Sequence, residues 1–237
     1  VKHQIICGDC LNVLPTLADV DMIFADPPDN IGLKYDNGQS DKLPKKQYKN
    51  YLKEVIVISS RHAPVVWLSA NAKWEYFLAW HLYSYGWSYR KIVWTFTFGQ
   101  QGKRDLSNCY RPIFRIAPAD FEWNTDAIRV PSDRQLKYND KRANPDGKVP
   151  SDVWEFPRVC GTFKERRKWH PTQHPEALVE RAILMSTKEG DLVVDPFLGS
   201  GTTLRVCQRI NRRCIGIELS ETYCKKVSEE TGVEVTT

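Results

Sequence analysis

The stretch FADPPDN, residues 24–30, sets two acids, Asp26 and Asp29, around two prolines, Pro27 and Pro28. Each proline fixes φ and lacks an amide hydrogen, so the loop is stiff and its carbonyls are left to accept hydrogen bonds. The approach, VDMIFAD, is a short apolar run of the kind that forms a strand buried on both faces. A stiff set of acceptors at the end of a buried strand suits a substrate that donates, such as an amine. The same letters also fit a strand end followed by an ordinary turn, for which Asp-Pro and Asp-Asn are common.

A second constellation lies near the other end, in DLVVDPFLGSGTT. A buried strand is expected to end at Asp195, and a turn carrying Gly199 and Gly201 then opens a helix. Such a turn lets backbone pass close to a ligand, and the helix start presents free N–H groups. Glu218 closes the next apolar run, CIGIE, where an acid reaches the two hydroxyls of a ribose in doubly wound nucleotide sites. A phosphate-cradling loop is excluded, because no lysine follows the glycines. A dinucleotide fingerprint fits poorly, since Leu204 stands where a third glycine belongs. A tight strand–helix turn with an incidental acid accounts for the glycines alone but not for Asp195, the glycines and Glu218 together.

The elements that must position these residues alternate. Strands are expected at HQIICGD, VDMIFAD, APVVWLS, RKIVWTFTF, RPIFRIA, GDLVVDPF and RRCIGIEL. Helices are expected over 10–17, 47–59, AKWEYFLAWHLYSYG, 176–187, from about 202 and from about 220. This order predicts an α/β fold, a mostly parallel twisted sheet with helices on both faces. The chain has 237 residues, enough for one full-sized core plus an excursion. The excursion is expected at about 120–168, where the pattern dissolves into polar, proline-containing sequence. A net charge of +5 leans toward polyanionic partners. Seven cysteines, odd and scattered, point to reduced thiols inside the cell. No apolar run reaches membrane length, and VKHQIICGD lacks the layout of a signal peptide, so a cytoplasmic protein is expected.

With ADPP preceding DPFLGSGTT, the sequence resembles the β-class amino-methyltransferases of DNA, in which the catalytic motif comes before the cofactor motif. GDCLNVLPTL, WHPTQHPEALVERAI and GIELSETY are similar to three further stretches of that family, with His174 where lysine is usual. The resemblance covers nearly the whole chain. It implies a Rossmann-like methyltransferase fold, a single domain, and S-adenosylmethionine as cofactor. Asp26, Pro27, Pro28 and Asp29 would occupy the catalytic position. Asp9, Cys10, Thr172, Asp195, Phe197, Gly199, Ser200, Gly201, Thr202, Glu218 and Leu219 would surround the cofactor, with Asp9 at its adenine. The Asp26 carboxylate and the Pro27 carbonyl would each accept one N–H of an exocyclic amine. Double-stranded DNA is the implied partner; a homodimer and a cognate restriction enzyme are compatible with the family. The expected activity is methylation of adenine N6, with cytosine N4 as the rival, because the family's cytosine enzymes usually begin the motif with serine. A catalytically weak DNA-binding module is a further alternative.

The sequence departs from the family at Asp29, where Tyr, Phe or Trp normally stacks on the flipped-out base. Base-face stacking is worth about 1–3 kcal/mol, so another ring is expected to substitute. Tyr35, Trp94, Phe96 and Phe98 are the candidates, at least two of them fitting core packing better. Basic residues in three stretches are candidate DNA-backbone contacts: Lys45 and Lys46; Arg134, Lys137 and Arg142; and Arg166, Arg167 and Lys168. Each stretch alone also fits a solvated face. Cys7 with Cys10, and His170 with His174, have metal-like spacing, but both pairs fall within the family-like motifs and no metal is expected.

Overall fold

The computed structural model describes residues 2–36, 41–100 and 106–236, the side chains of 98–100 excepted. Strand β1 (Gln4–Cys7) leads into α1 (Cys10–Val13) and a 3-10 turn (Leu14–Thr16). Then come β2 (Met22–Ala25), α2 (Lys45–His62), β3 (Val66–Ser69), and a 3-10 turn (Ala72–Trp74) that runs into α3 (Glu75–Ser84). The long β4 (Tyr89–Gln100) and β5 (Asn108–Ile116) follow. Beyond them lie a 3-10 turn (Asp126–Ile128), α4 (Asp133–Leu136) and β6 (Val153–Glu155). The chain continues with α5 (Glu176–Ser186), β7 (Leu192–Asp195), α6 (Thr202–Arg209), β8 (Arg213–Glu218), α7 (Glu221–Thr231) and β9 (Val235–Thr236).

The nine strands form one sheet in the order β6-β4-β5-β3-β2-β7-β8-β1-β9. Every pairing is parallel except those of β5, which runs antiparallel to both β3 and β4. Side chains alternate across the sheet, as the two-residue period of a strand requires. Met22, Phe24 and Trp67 pack with α5, α6 and α7 on one face. Ile23, Ala25, Val66 and Leu68 pack with α2 and α3 on the other. Burial on both faces is why VDMIFAD reads as a continuous apolar run rather than an alternating one.

The centre of the sheet positions the site. β2 and β7 are parallel neighbours, with Met22 opposite Val193 and Ile23 opposite Val194. From β2 the chain proceeds toward β3, and from β7 toward β8, so the two connections diverge. Their loops therefore leave a crevice between them at the same carboxyl edge, the place where open α/β sheets bind ligands.

Three elements differ from expectation. The first helix is α-helical only through Val13 and tightens to 3-10 over Leu14–Thr16, because Pro15 supplies no amide hydrogen to continue it. Part of the polar excursion joins the sheet: β6 pairs in parallel with β4, Trp94 opposite Trp154. Three residues are too few to show a period, yet Trp154 is buried in the core. α2 is longer than predicted, beginning at Lys45 and ending at His62. Residues 37–40 of the polar stretch before α2 lie outside the described residues. Among the described residues no helix is long and apolar enough to cross a membrane.

Trp67 ties the central sheet to its edge. It is fully buried, its ring lies 5.4 Å from that of Trp154, and its indole N–H donates to Ser186 Oγ at 2.8 Å. Replacing it with alanine is expected to lower the unfolding free energy by about 3–5 kcal/mol, read as a fall in the urea midpoint. An unchanged midpoint would show that β6 and α5 are held by other contacts.

Candidate active site at the carboxyl edge of the sheet

A cavity of about 560 Å³ opens between the β2 and β7 loops. Asp26, Pro27, Pro28 and Asp29 form one wall. Asp9, Cys10, Phe197, Gly199, Glu218 and Leu219 form the other, and Thr172 and His174 enter from the segment before α5. The two distant motifs thus face one space.

Arg111 sits at the heart of the first wall, its side chain 16% exposed. Its Nη2 donates to Asp26 Oδ1 at 2.5 Å, its Nη1 to Asp29 Oδ2 at 2.9 Å, and its Nε to Ser69 Oγ at 2.7 Å. His174 Nδ1 lies 3.1 Å from Asp26 Oδ2, and its Nε2 lies 2.9 Å from Ser69 Oγ. Two donor paths lead from Arg111 to Asp26, one direct and one through Ser69 and His174. Arg111 donates to Ser69, the Ser69 hydroxyl can donate to His174 Nε2, and His174 Nδ1–H then donates to Asp26. An ionised carboxylate only accepts, which fixes the proton on Nδ1 in this arrangement. Burial pushes the Asp26 carboxyl up, but the charge of Arg111, with the hydrogen bond from His174, outweighs it and holds the group well below the usual carboxylate range. Burial lowers the Arg111 value, and Asp26 and Asp29 more than reverse that. The guanidinium and Asp26 are therefore both ionised.

The register of the sheet places Arg111 there. Ser69, the last residue of β3, pairs with Ile113 of β5, so Arg111 projects past the end of β3 over the β2 loop. That loop is fixed on its other side. Tyr48 of α2 donates its hydroxyl to the Pro28 carbonyl, and Trp74 Nε1 donates to the Asp29 carbonyl at 2.8 Å. Asn30 takes a positive φ of 55° and exchanges two hydrogen bonds with the Leu43 backbone. Among the described residues the Pro27 carbonyl accepts no hydrogen bond and Asp29 Oδ1 is buried without a partner, both beside the cavity.

On the second wall, Glu218 accepts from Gly199 N at 2.9 Å and Ser220 N at 2.8 Å. Burial pushes its carboxyl up. Each oxygen keeps a lone pair for a ligand hydroxyl. Gly199 has a φ of 48°, and a Cβ there would lie 2.9 Å from His170 Nε2, so backbone alone fits. Asp9 caps α1 through Leu11 N at 2.9 Å. The Cys10 thiol is raised by burial to about 12 and stays protonated. A cavity flanked by Phe197, Leu219 and a carboxylate with free lone pairs fits a nucleoside-type cofactor.

Four expected cofactor residues do not line the cavity: Asp195, Ser200, Gly201 and Thr202. They shape the loop from behind. Asp195 accepts from Phe197 N at 2.9 Å, and Gly201 is at φ 77° with its α-carbon against Val227, where a Cβ would come within 2.7 Å. Ser200 and Thr202 share a hydroxyl contact at 3.0 Å. Of the candidate stacking rings, Tyr35 and Phe96 line the cavity half-buried. Trp94 also reaches it, but is 4% exposed and donates its indole N–H to Phe156. The Phe98 side chain lies outside the described residues.

None of the candidate DNA-backbone cations lines the cavity. Lys45, Lys46, Arg134, Arg166 and Lys168 are exposed. Lys137 pairs with Asp133 at 3.2 Å and Arg142 with Asp140 at 2.9 Å. Arg167 is half-buried and bound to Glu230 of α7, because its segment folds back on that helix. Among the described residues no cluster of three or more His, Cys, Asp and Glu side chains is arranged to hold a metal. Sequence reasoning missed Arg111 and Ser69. An acid at position 29, beside a second acid on a buried loop, was the available signal, since two such carboxylates require a cation.

Residues 20–230 match the family described as DNA methylase, and the chain belongs to it. It is 35% identical over 248 residues to the type II methyltransferase M.HpaI of Haemophilus parainfluenzae, covering 99% of this chain and 76% of that one. It is 36% identical over 236 residues to the DNA adenine methyltransferase YhdJ of Escherichia coli K12, covering 93% and 80% respectively. Among solved structures, the cytosine-N4-specific PvuII DNA methyltransferase superposes with a TM-score of 0.73 at 14% identity, covering 96% of this chain and 86% of that one. The complex of M1.HpyAVI with SAM superposes with a TM-score of 0.63 at 22% identity, covering 95% and 97%. At these identities the two structures establish the Rossmann-like methyltransferase fold.

The buried Asp195 has a consequence for stability. Burial pushes its carboxyl up to about 7, against about 4 in an unfolded chain. Between those values the unfolded chain loses the proton first, so rising pH favours unfolding; above about 7 the effect levels off. Asp195→Asn should therefore lose less stability than the parent chain between about pH 4 and about pH 7 in urea titrations. Equal slopes would show that Asp195 ionises normally.

Proposed function

We propose that this DNA methylase transfers the methyl group of S-adenosylmethionine to the exocyclic N6 of an adenine in double-stranded DNA. The observation that carries this is the pairing, across one cavity, of the Asp26–Pro27 acceptors with the Glu218 wall. When bound, S-adenosylmethionine supplies an electrophilic methyl group on a sulfonium. Glu218 accepts the ribose hydroxyls, and Asp9, Cys10, Phe197, Leu219 and Thr172 enclose the remainder. A flipped-out base places its amine against Asp26 and Pro27. The Asp26 carboxylate would accept one N–H and the Pro27 carbonyl the other, drawing the nitrogen lone pair out of the ring; the nitrogen–carbon bond would form as the carbon–sulfur bond breaks, the neutral thioether would leave, and the methylated nitrogen would lose one proton to solvent.

Arg111 is the positioning residue. By holding Asp26 ionised it makes the carboxylate a weak base, suited to accepting a hydrogen bond and to stabilising the positive charge that grows on nitrogen. Asp29 shares the buried guanidinium charge, and Tyr35 or Phe96 supplies the face that position 29 lacks. The initial Asp of the motif and the similarity to the DNA adenine methyltransferase YhdJ support adenine. The excursion at about 120–168 reads the target, with the exposed Arg134, Arg166 and Lys168 toward phosphates. The type II relatives support a setting with a cognate restriction enzyme, and so short a target-reading region supports a homodimer.

Incubation with methyl-labelled cofactor and duplex DNA should yield N6-methyladenine on nucleoside analysis; N4-methylcytosine would assign the rival base instead. Asp26→Ala should lose about 10²–10³ in kcat with cofactor affinity retained. Glu218→Gln should weaken cofactor binding, read by calorimetry, by about 1.5–3 kcal/mol. Normal turnover in the first variant, or normal affinity in the second, would remove that residue from its role.

Asp29→Tyr restores the family's ring but leaves Arg111 with one carboxylate. Breaking a buried pair costs about 3–5 kcal/mol. The variant should therefore lose stability and kcat while keeping cofactor affinity. Intact or raised activity would show that position 29 serves as a stacking site after all.

A further inference from the structure

Outside the cavity, α2 and α3 enclose a groove of about 360 Å³ lined by Lys46, Lys49, Lys53, Tyr76, Phe77 and Trp80. The lysines follow one another at three and four residues and so form a row along one face of α2. Tyr76, Trp80 and Tyr83 do the same on α3, and they are 83%, 53% and 79% exposed. Helix α3 buries Leu78, His81 and Leu82 against the core and needs none of these three rings to fold.

The lysines carry unbalanced charge. Among the described residues, the lysines paired with a carboxylate are Lys91 and Lys137, neither of them in the groove. Lys49 and Lys53 instead lie 4.8 and 6.0 Å from the centre of the Phe77 ring. A row of unpaired cations beside a row of exposed rings matches a ligand with regularly spaced negative charges and flat faces. That is an unpaired nucleic-acid strand, whose phosphates take the lysines and whose bases stack on the aromatics. A second copy of the chain fits worse, because a two-fold contact would set the lysine row against itself.

We propose that the groove between α2 and α3 binds an unpaired DNA strand, with Lys49 and Lys53 on its phosphates and Tyr76 and Trp80 on its base faces. The proposal does not depend on which base is methylated. The test is fluorescence anisotropy of the full chain with a labelled oligothymidylate and, separately, a duplex of the same length. Trp80→Ala should weaken oligothymidylate binding by about tenfold or more. Lys49→Ala with Lys53→Ala should flatten its salt dependence by about 0.7 in log–log slope per lysine. Duplex binding should change less, and the melting temperature and S-adenosylmethionine affinity should stay as in the parent chain. Three results would overturn the proposal: no oligothymidylate binding by the parent chain, equal binding by the variants, or a change confined to the duplex. Light scattering that shows the variants dissociating from a dimer, with strand binding intact, would assign the surface to a second copy.

Discussion

A guanidinium buried in protein must be neutralised, and in this chain Arg111 is neutralised by Asp26 and Asp29 together. Much of the site follows from that requirement. Two carboxylates on a four-residue loop would repel each other without the cation, and the cation would be costly without both. Ser69 orients the third guanidinium nitrogen and passes the hydrogen-bond chain to His174, which returns to Asp26. The result is an ionised carboxylate held at both oxygens, with its remaining lone pairs directed by the protein rather than by solvent. Preorganisation of this sort lets an acceptor favour charge that develops later in the reaction without reorganising.

The backbone supports the same end. The two prolines remove donors, α2 and the 3-10 turn before α3 grip the loop through Tyr48 and Trp74, and the Pro27 carbonyl is left beside the cavity. Parallel pairing of β2 with β7 brings this loop within one cavity of the Glu218 wall, although the two motifs are separated by most of the sequence. Antiparallel β5 is what allows Arg111 to approach from outside the loop. A parallel strand in that position would leave the same edge by its carboxyl end, and the residues beyond β3 would come from a different stretch of chain.

Much of this was legible in the sequence, for identifiable reasons. Burial on both sheet faces leaves unbroken apolar runs, so β2, β3, β7 and β8 could be placed, and the alternation with helices gave the fold class. Asp26, Pro27, Gly199 and Glu218 stand out in the sequence because they fall at strand ends, and the fold brings the four to one cavity. Arg111 does not stand out, because it heads the apolar run RPIFRIA and only the register of β3 with β5 brings it over Asp26. Asp195 and Gly201 stand one side-chain layer behind the cavity lining, a distinction that spacing does not carry. Arg167 looked like its basic neighbours, and its partner Glu230 is remote in sequence. The three-residue β6 has no period to read and is held by one tryptophan.

In the proposed reaction Arg111 holds Asp26 in place as an amine acceptor. A crystal structure of the chain with a non-reactive cofactor analogue and duplex DNA would test it most directly. The extruded base is expected with its exocyclic amine within hydrogen-bond distance of Asp26 and the Pro27 carbonyl, and Arg111 still bound to both Asp26 and Asp29. A base amine held elsewhere in the cavity, or an Arg111 released from Asp26 to contact the base or a phosphate, would contradict it.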